Sequence, residues 1–182
     1  MTRKNKKNKK LNKNKITTNE EGFPRAGFFR RFAAMIYDAL VATAVWMLAS
    51  IVITTILTVL LENGVLPKNG YEHVNELIQD SVLYKSVIQA WTIAWVIGFF
   101  LWFWKNGGQT LGMRAWRLKI FNLKDEVGIS YGRLFLRLIT ALGGLGTLFV
   151  LLDYKNKQSL QDRIANTEVL FLSKEANDHK SW

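Results

Sequence analysis

Apolar positions gather into three runs along this chain, and the connectors between them differ in charge. The first run covers residues 32–61, and from Ala39 to Leu61 it carries no charged side chain. As a helix rising about 1.5 Å per residue, those 23 residues are long enough to cross a hydrocarbon core of about 30 Å. The second run, residues 86–104, is interrupted only by Ser86, Gln89 and Thr92. The third, residues 134–152, is weaker. It carries Arg137 and Thr140, and Gly143-Gly144-Leu145-Gly146 breaks it near its middle. Glycine permits a tight reversal, so two short helices, about 132–142 and 147–154, are expected to form a re-entrant hairpin. A third complete span is the alternative. A re-entrant turn is tolerated only where protein buries it.

The connectors orient these runs. Residues 62–85 contain Glu62, Glu72, Glu76 and Asp80 against Lys68 and Lys85. Residues 105–133 contain Lys105, Arg114, Arg117, Lys119, Lys124 and Arg133 against Asp125 and Glu126. Basic loops stay on the cytoplasmic side of a membrane. The second connector is therefore expected inside, the first outside, and both termini cytoplasmic. Two segments read as strands. Trp116, Leu118 and Ile120 alternate with Arg117, Lys119 and Phe121, a period of two, and residues 167–172 are short, apolar and β-prone. Together they predict a small cytoplasmic β-ribbon whose register the sequence leaves open. Trp91, Trp95, Phe99 and Trp102 share one helical face, and Trp102, Phe103 and Trp104 read as an interfacial belt.

Composition narrows the chemistry. The formal net charge is +11, hydrophobic residues make up 49%, and there is no cysteine. Thiolate nucleophiles, disulfides and cysteine-based zinc sites are excluded. The two histidines, His73 and His179, are far apart, so no metal site is expected, and no cofactor. No Gly-x-Ser-x-Gly or Glu-x-x-His pattern occurs, and the chain does not read as an enzyme. Gly107-Gly108-Gln109-Thr110-Leu111-Gly112 lacks the Lys-Ser/Thr ending of a phosphate loop. It reads as a helix end and turn, with Arg114 and Arg117 as candidate contacts to lipid headgroups. Eight of the first 15 residues are Lys or Arg. That segment reads as a disordered cytoplasmic tail that favours anionic bilayers. With no aromatic among its lysines, nucleic acid is not an expected partner.

One charged residue stands out. Asp38 lies just inside the first run, seven residues after Arg31 and on the same helical face. A carboxylate at membrane depth is costly unless paired, and it marks a candidate ion or proton site. The alternative is a structural ion pair that fixes helix packing.

Three stretches carry a family resemblance. They are Gly27-Phe28-Phe29-Arg30-Arg31-Phe32-Ala33-Ala34-Met35-Ile36-Tyr37-Asp38, then Gly107-Gly108-Gln109-Thr110-Leu111-Gly112-Met113-Arg114, then Gln158-Ser159-Leu160-Gln161-Asp162-Arg163-Ile164-Ala165-Asn166-Thr167-Glu168-Val169. In this order they resemble the RDD family of prokaryotic membrane proteins, named for an arginine and two aspartates. The resemblance covers residues 23–172 and assigns those positions to Arg31, Asp38 and Asp162. It departs at Gln161, where the family often has histidine, and at Leu111, where proline is common. It implies a membrane domain of mostly unknown biochemistry, with transport suggested for some members.

The expectation is an all-α protein of the bacterial inner membrane, with two full spans, a third apolar segment and a small ribbon. Residues 1–22 form the tail, 23–172 the membrane domain and 173–182 a C-terminal tail. Two spans are few for a transporter, so handling of ions or small solutes implies a homo-oligomer. The other reading is a membrane scaffold or accessory subunit clasped by Arg31, Asp38 and Asp162.

Overall fold

A computed structural model describes residues 22–123, 128–153 and 156–178. The basic tail, the acidic pair Asp125 and Glu126, and Tyr154 lie outside them. The described chain is mostly helical. Its contacts separate two units, one built from residues up to Ala39 and from Phe100 on, the other from residues 40–99.

Two helices are long and apolar enough to cross a membrane. Helix α1, Phe28–Glu62, has 35 residues, and a window of it reaches a mean hydropathy of 2.4. Helix α3, Val82–Asn106, has 25 residues and reaches 1.6. Only 22% and 6% of those windows are buried. Leu48, Ile51, Val52, Ile93 and Trp95 are all exposed, a pattern that suits an apolar solvent rather than water. Both helices pass from one unit into the other.

In the unit of residues 40–99, the first connector forms a helix that the acid-rich sequence did not suggest. This is α2, Val74–Asp80, whose Val74, Leu77 and Ile78 are buried. They sit one turn apart on one face and pack with Ile53, Leu57 and Leu61 of α1, joined by Leu66, Tyr71, Tyr84 and Ile88.

The other unit is built around a ribbon. Strand β1, Leu118–Asn122, pairs antiparallel with β2, Thr167–Phe171, with Ile120 opposite Val169. Trp116 and Arg117, expected in the strand, precede it. The Trp116 N–H still donates to the Gly112 carbonyl in the helical manner, and Arg117 turns the chain at φ 57°. Residues 24–26 line the far edge of β2, with Ala26 N donating to Val169 O and Phe171 N to Pro24 O. That covers an edge otherwise open to pairing.

Helix α4 (Leu111–Ala115) precedes β1, and between the strands lie α5 (Tyr131–Thr140), a 3-10 helix (Leu142–Leu148), α6 (Phe149–Leu152) and α7 (Leu160–Ile164). Helix α8, Lys174–Asp178, follows β2. Ala26, Ala34, Met113, Leu118, Ile120, Leu134 and Val169 form the core here. The third apolar run bends by 74° between residues 131–140 and 143–152. The bend is made by Gly143 at φ 61° and Gly144 at φ 108°, a backbone that only glycine adopts readily.

Candidate functional site

The third family motif builds the most buried charged group. Ser159 caps α7, its Oγ accepting from the Asp162 N–H, while Asp162 Oδ2 accepts from the Ser159 N–H. This reciprocal cap aims the Asp162 carboxylate at two arginines. Arg31 Nη1 donates to Oδ2 at 2.5 Å and Arg137 Nη1 to Oδ1 at 2.5 Å. Arg31 also donates from Nε to the Ala26 carbonyl and from Nη2 to the Lys157 carbonyl, both at 3.0 Å. Arg137 Nη1 donates to Thr167 Oγ1 at 2.6 Å. One carboxylate thus ties α1, α5, α7 and the start of β2. Burial opposes the Asp162 charge, but Arg137 and Arg31 outweigh it and hold the carboxyl at about 2, below its usual 3.8.

Asp38 belongs to a second network. Its Oδ2 accepts from Thr110 Oγ1 at 2.5 Å and its Oδ1 from Gly112 N at 2.8 Å. Thr110 caps α4 with the same hydroxyl, which accepts from the Met113 N–H. Gly112 is required by contact. A Cβ there would overlap the Ala34 carbonyl oxygen and the Asp38 carboxylate. The second family motif therefore lies directly on α1, held by a carboxylate that forms no ion pair among the described residues. The expectation of one cluster of Arg31, Asp38 and Asp162 is corrected in this respect. Arg31 and Asp162 meet, whereas Asp38, two turns along α1, is answered by neutral donors.

The two networks border one cavity of about 270 Å³. Arg31, Asp38 and Arg137 line it, together with Trp104, Thr147 and Gln161, and the remaining wall is apolar, including Met35, Phe100 and Leu138. Trp104, read from sequence as part of an interfacial belt, is half-buried on this wall, whereas Trp102 is exposed. The Arg137 Nε, Trp104 Nε1 and Gln161 Oε1 atoms are buried without a hydrogen-bond partner among the described residues.

Arg114 and Arg117 lie away from these networks. Arg117 stacks on Phe171, its guanidinium carbon 4.6 Å from the ring centroid, and Arg30 covers the same ring at 3.5 Å. The Arg114 carbonyl accepts from Asn177 Nδ2. Both arginine side chains are partly exposed. Among the described residues no group of three or more His, Cys, Asp or Glu side chains is placed to hold a metal ion.

The sequence reading missed Arg137, Thr110, Ser159 and Trp104. For Arg137 a signal existed, since it is a lone charge inside an apolar run, as Asp38 is. Thr110 and Ser159 each precede a short helix and carry the cap's hydroxyl. Residues 25–166 match the model of a known protein family, described as the RDD family. No curated protein and no solved structure matches the chain.

Proposed function

The chain belongs to the RDD family, and from that premise we propose a multi-pass protein of the bacterial cytoplasmic membrane that handles a small solute or cation. The observation that carries this reading is the cavity beside α1, with the Asp38 carboxylate on its wall. A carboxylate near the end of an apolar helix is the default candidate for a proton or ion site. Its two neutral donors hold it in place without cancelling its charge.

The other members of the charged set have a different role in this proposal. Arg31, Arg137 and Asp162 satisfy one another and the surrounding backbone, so they brace the wall of the cavity. This is the clasp that a scaffold or accessory subunit would also need, and it is compatible with either function. Two candidate spans leave a narrow path, so passage across the bilayer calls for more than one copy of the chain. The third apolar run turns back at Gly143 and Gly144 in this proposal, leaving both termini in the cytoplasm.

Flux in liposomes and melting in detergent, read on the same proteins, test the proposal. Asp38→Asn is expected to melt near the wild type, because the amide oxygen can still accept from the Gly112 N–H while the amide N–H donates to the Thr110 hydroxyl. It is expected to abolish proton-coupled cation flux, because an amide neither ionises nor carries charge. Wild-type flux in Asp38→Asn overturns the transport reading.

A further inference from the structure

The clasp leaves one arginine incompletely used. Arg31 and Arg137 share a single carboxylate, Asp162. Arg31 spends its remaining donors on the Ala26 and Lys157 carbonyls and Ser159 Oγ. Arg137 does not, and its Nε–H is buried without a partner among the described residues. So is the indole Nε1–H of Trp104. The guanidinium carbon of Arg137 lies 5.7 Å from the centroid of the Trp104 ring, so the two side chains adjoin on the cavity wall. A buried donor left unmatched is costly, more so where it carries charge, and such groups normally have partners.

The third unmatched atom is of another kind. A Cβ on Gly146 would meet both Gln161 Oε1 and the Thr140 carbonyl oxygen at 2.5 Å, so these two oxygens lie on one side of that glycine. Gln161 already donates from Nε2 to Thr147 Oγ1, and its Oε1 is an acceptor that a carboxylate does not answer. Two unmatched donors remain, one of them cationic. Ala34, Met35, Ala39, Phe100 and Leu138 supply an apolar wall around them.

We infer that this end of the cavity binds the carboxylate of a small monocarboxylic acid, its oxygens accepting from Arg137 Nε and Trp104 Nε1 and its alkyl chain lying on the apolar wall. The inference deepens the solute-handling reading and rests on the same cavity. The chemistry selects against other solutes. At this end of the cavity a cation is repelled by Arg137, which leaves the Asp38 wall as the place for one. A phosphate carries more acceptors than two donors answer. A simple alcohol offers one oxygen and no charge.

The test uses the full chain in nanodiscs, with empty nanodiscs subtracted. Acetate, butyrate, hexanoate, octanoate and hexanol are titrated by calorimetry. Saturable binding of at least one acid is expected, with hexanol at least tenfold weaker. Each of the seven tryptophans gives one indole N–H resonance, and that of Trp104 is expected to shift on binding. Trp104→Phe, which keeps the ring and removes the donor, is expected to weaken the acid about tenfold, the size of one hydrogen bond to a charged group. If that variant does not fold, Trp→Phe changes at the six other positions assign the Trp104 resonance by elimination. The proposal fails if no acid binds, if hexanol binds as tightly, or if the Trp104 resonance does not move. Binding is read without transport. Acid binding in a protein that moves nothing sinks the transport reading alone, and flux without acid binding sinks the site alone.

Discussion

At the scale of single residues, Asp162 is where the energetics concentrate. It is wholly buried and its partners are two guanidiniums. Removing one side of such a group leaves the other buried and unanswered, so Asp162→Asn is expected to cost about 3–5 kcal/mol. The pH dependence follows from the depressed carboxyl at about 2, set against 3.8 for the unperturbed group. A lowered folded-state value means that the stabilisation is fully present above about pH 4. It is lost as pH falls from there toward 2, where the folded state also takes up the proton. Melting temperature in detergent across that window should fall in the wild type. Asp162→Asn should lack that part of the slope. Equal slopes in the two proteins would show that Asp162 does not carry the acid sensitivity. Asp38 and Asp162 are alike as sequence symbols and unlike as groups. One is bound by arginines and the other by a hydroxyl and an amide, a difference set by contacts between residues 25 to 131 positions apart in the chain. Local pattern does not carry that information, which is why Arg31, Asp38 and Asp162 could be named from the motifs while Arg137, Thr110 and the pairing could not.

At the scale of elements, hydrophobic period and length read the long helices well, because α1 and α3 have no competing structure to adopt in an apolar run. The two strand segments were also visible, β1 from its alternation and β2 as a short, β-prone apolar stretch. The start of β1 was misplaced by two residues because the last turn of α4 runs on through Trp116 and Arg117. Helix α2 was hidden by its acids, although its buried Val74, Leu77 and Ile78 have helical spacing. The third run shows what a glycine cluster does when an apolar stretch must bend. Gly144 sits at φ 108°, so Gly144→Ala forces a side chain into a backbone region costing about 1–3 kcal/mol. Its Cβ also overlaps the end of Met35. Gly132, within α5, has helical backbone and open space around it. There alanine should stabilise by about 0.5–1 kcal/mol through helix propensity. Opposite shifts in melting temperature for these two variants are expected. A neutral Gly144→Ala would mean that the bend is not fixed by that glycine.

At the scale of the whole chain, the bend and the charge pattern make one argument about topology. The acid-rich connector carrying α2 follows the first candidate span, and the basic segment of α4 and β1 follows the second. On the positive-inside bias the first connector is expected outside and the second in the cytoplasm. What comes after depends on whether residues 131–152 cross. If they did, Arg137 would lie within the bilayer, and the chain beyond Leu152 would emerge opposite β1. Yet β2 pairs with β1 along its whole length, and Asp162 binds Arg31 at the start of α1. A strand cannot pair with its partner from the other side of a membrane. A re-entrant course through the 74° bend would satisfy the ribbon and the clasp together, so the C-terminus is expected to be cytoplasmic. Reporter fusions at Lys68 and Lys174 read the two sides directly. The Lys68 fusion should be active as an external reporter and the Lys174 fusion as a cytoplasmic one. External activity at Lys174 would require residues 131–152 to span, and the pairing of β1 with β2 would then have to be abandoned with the re-entrant bend.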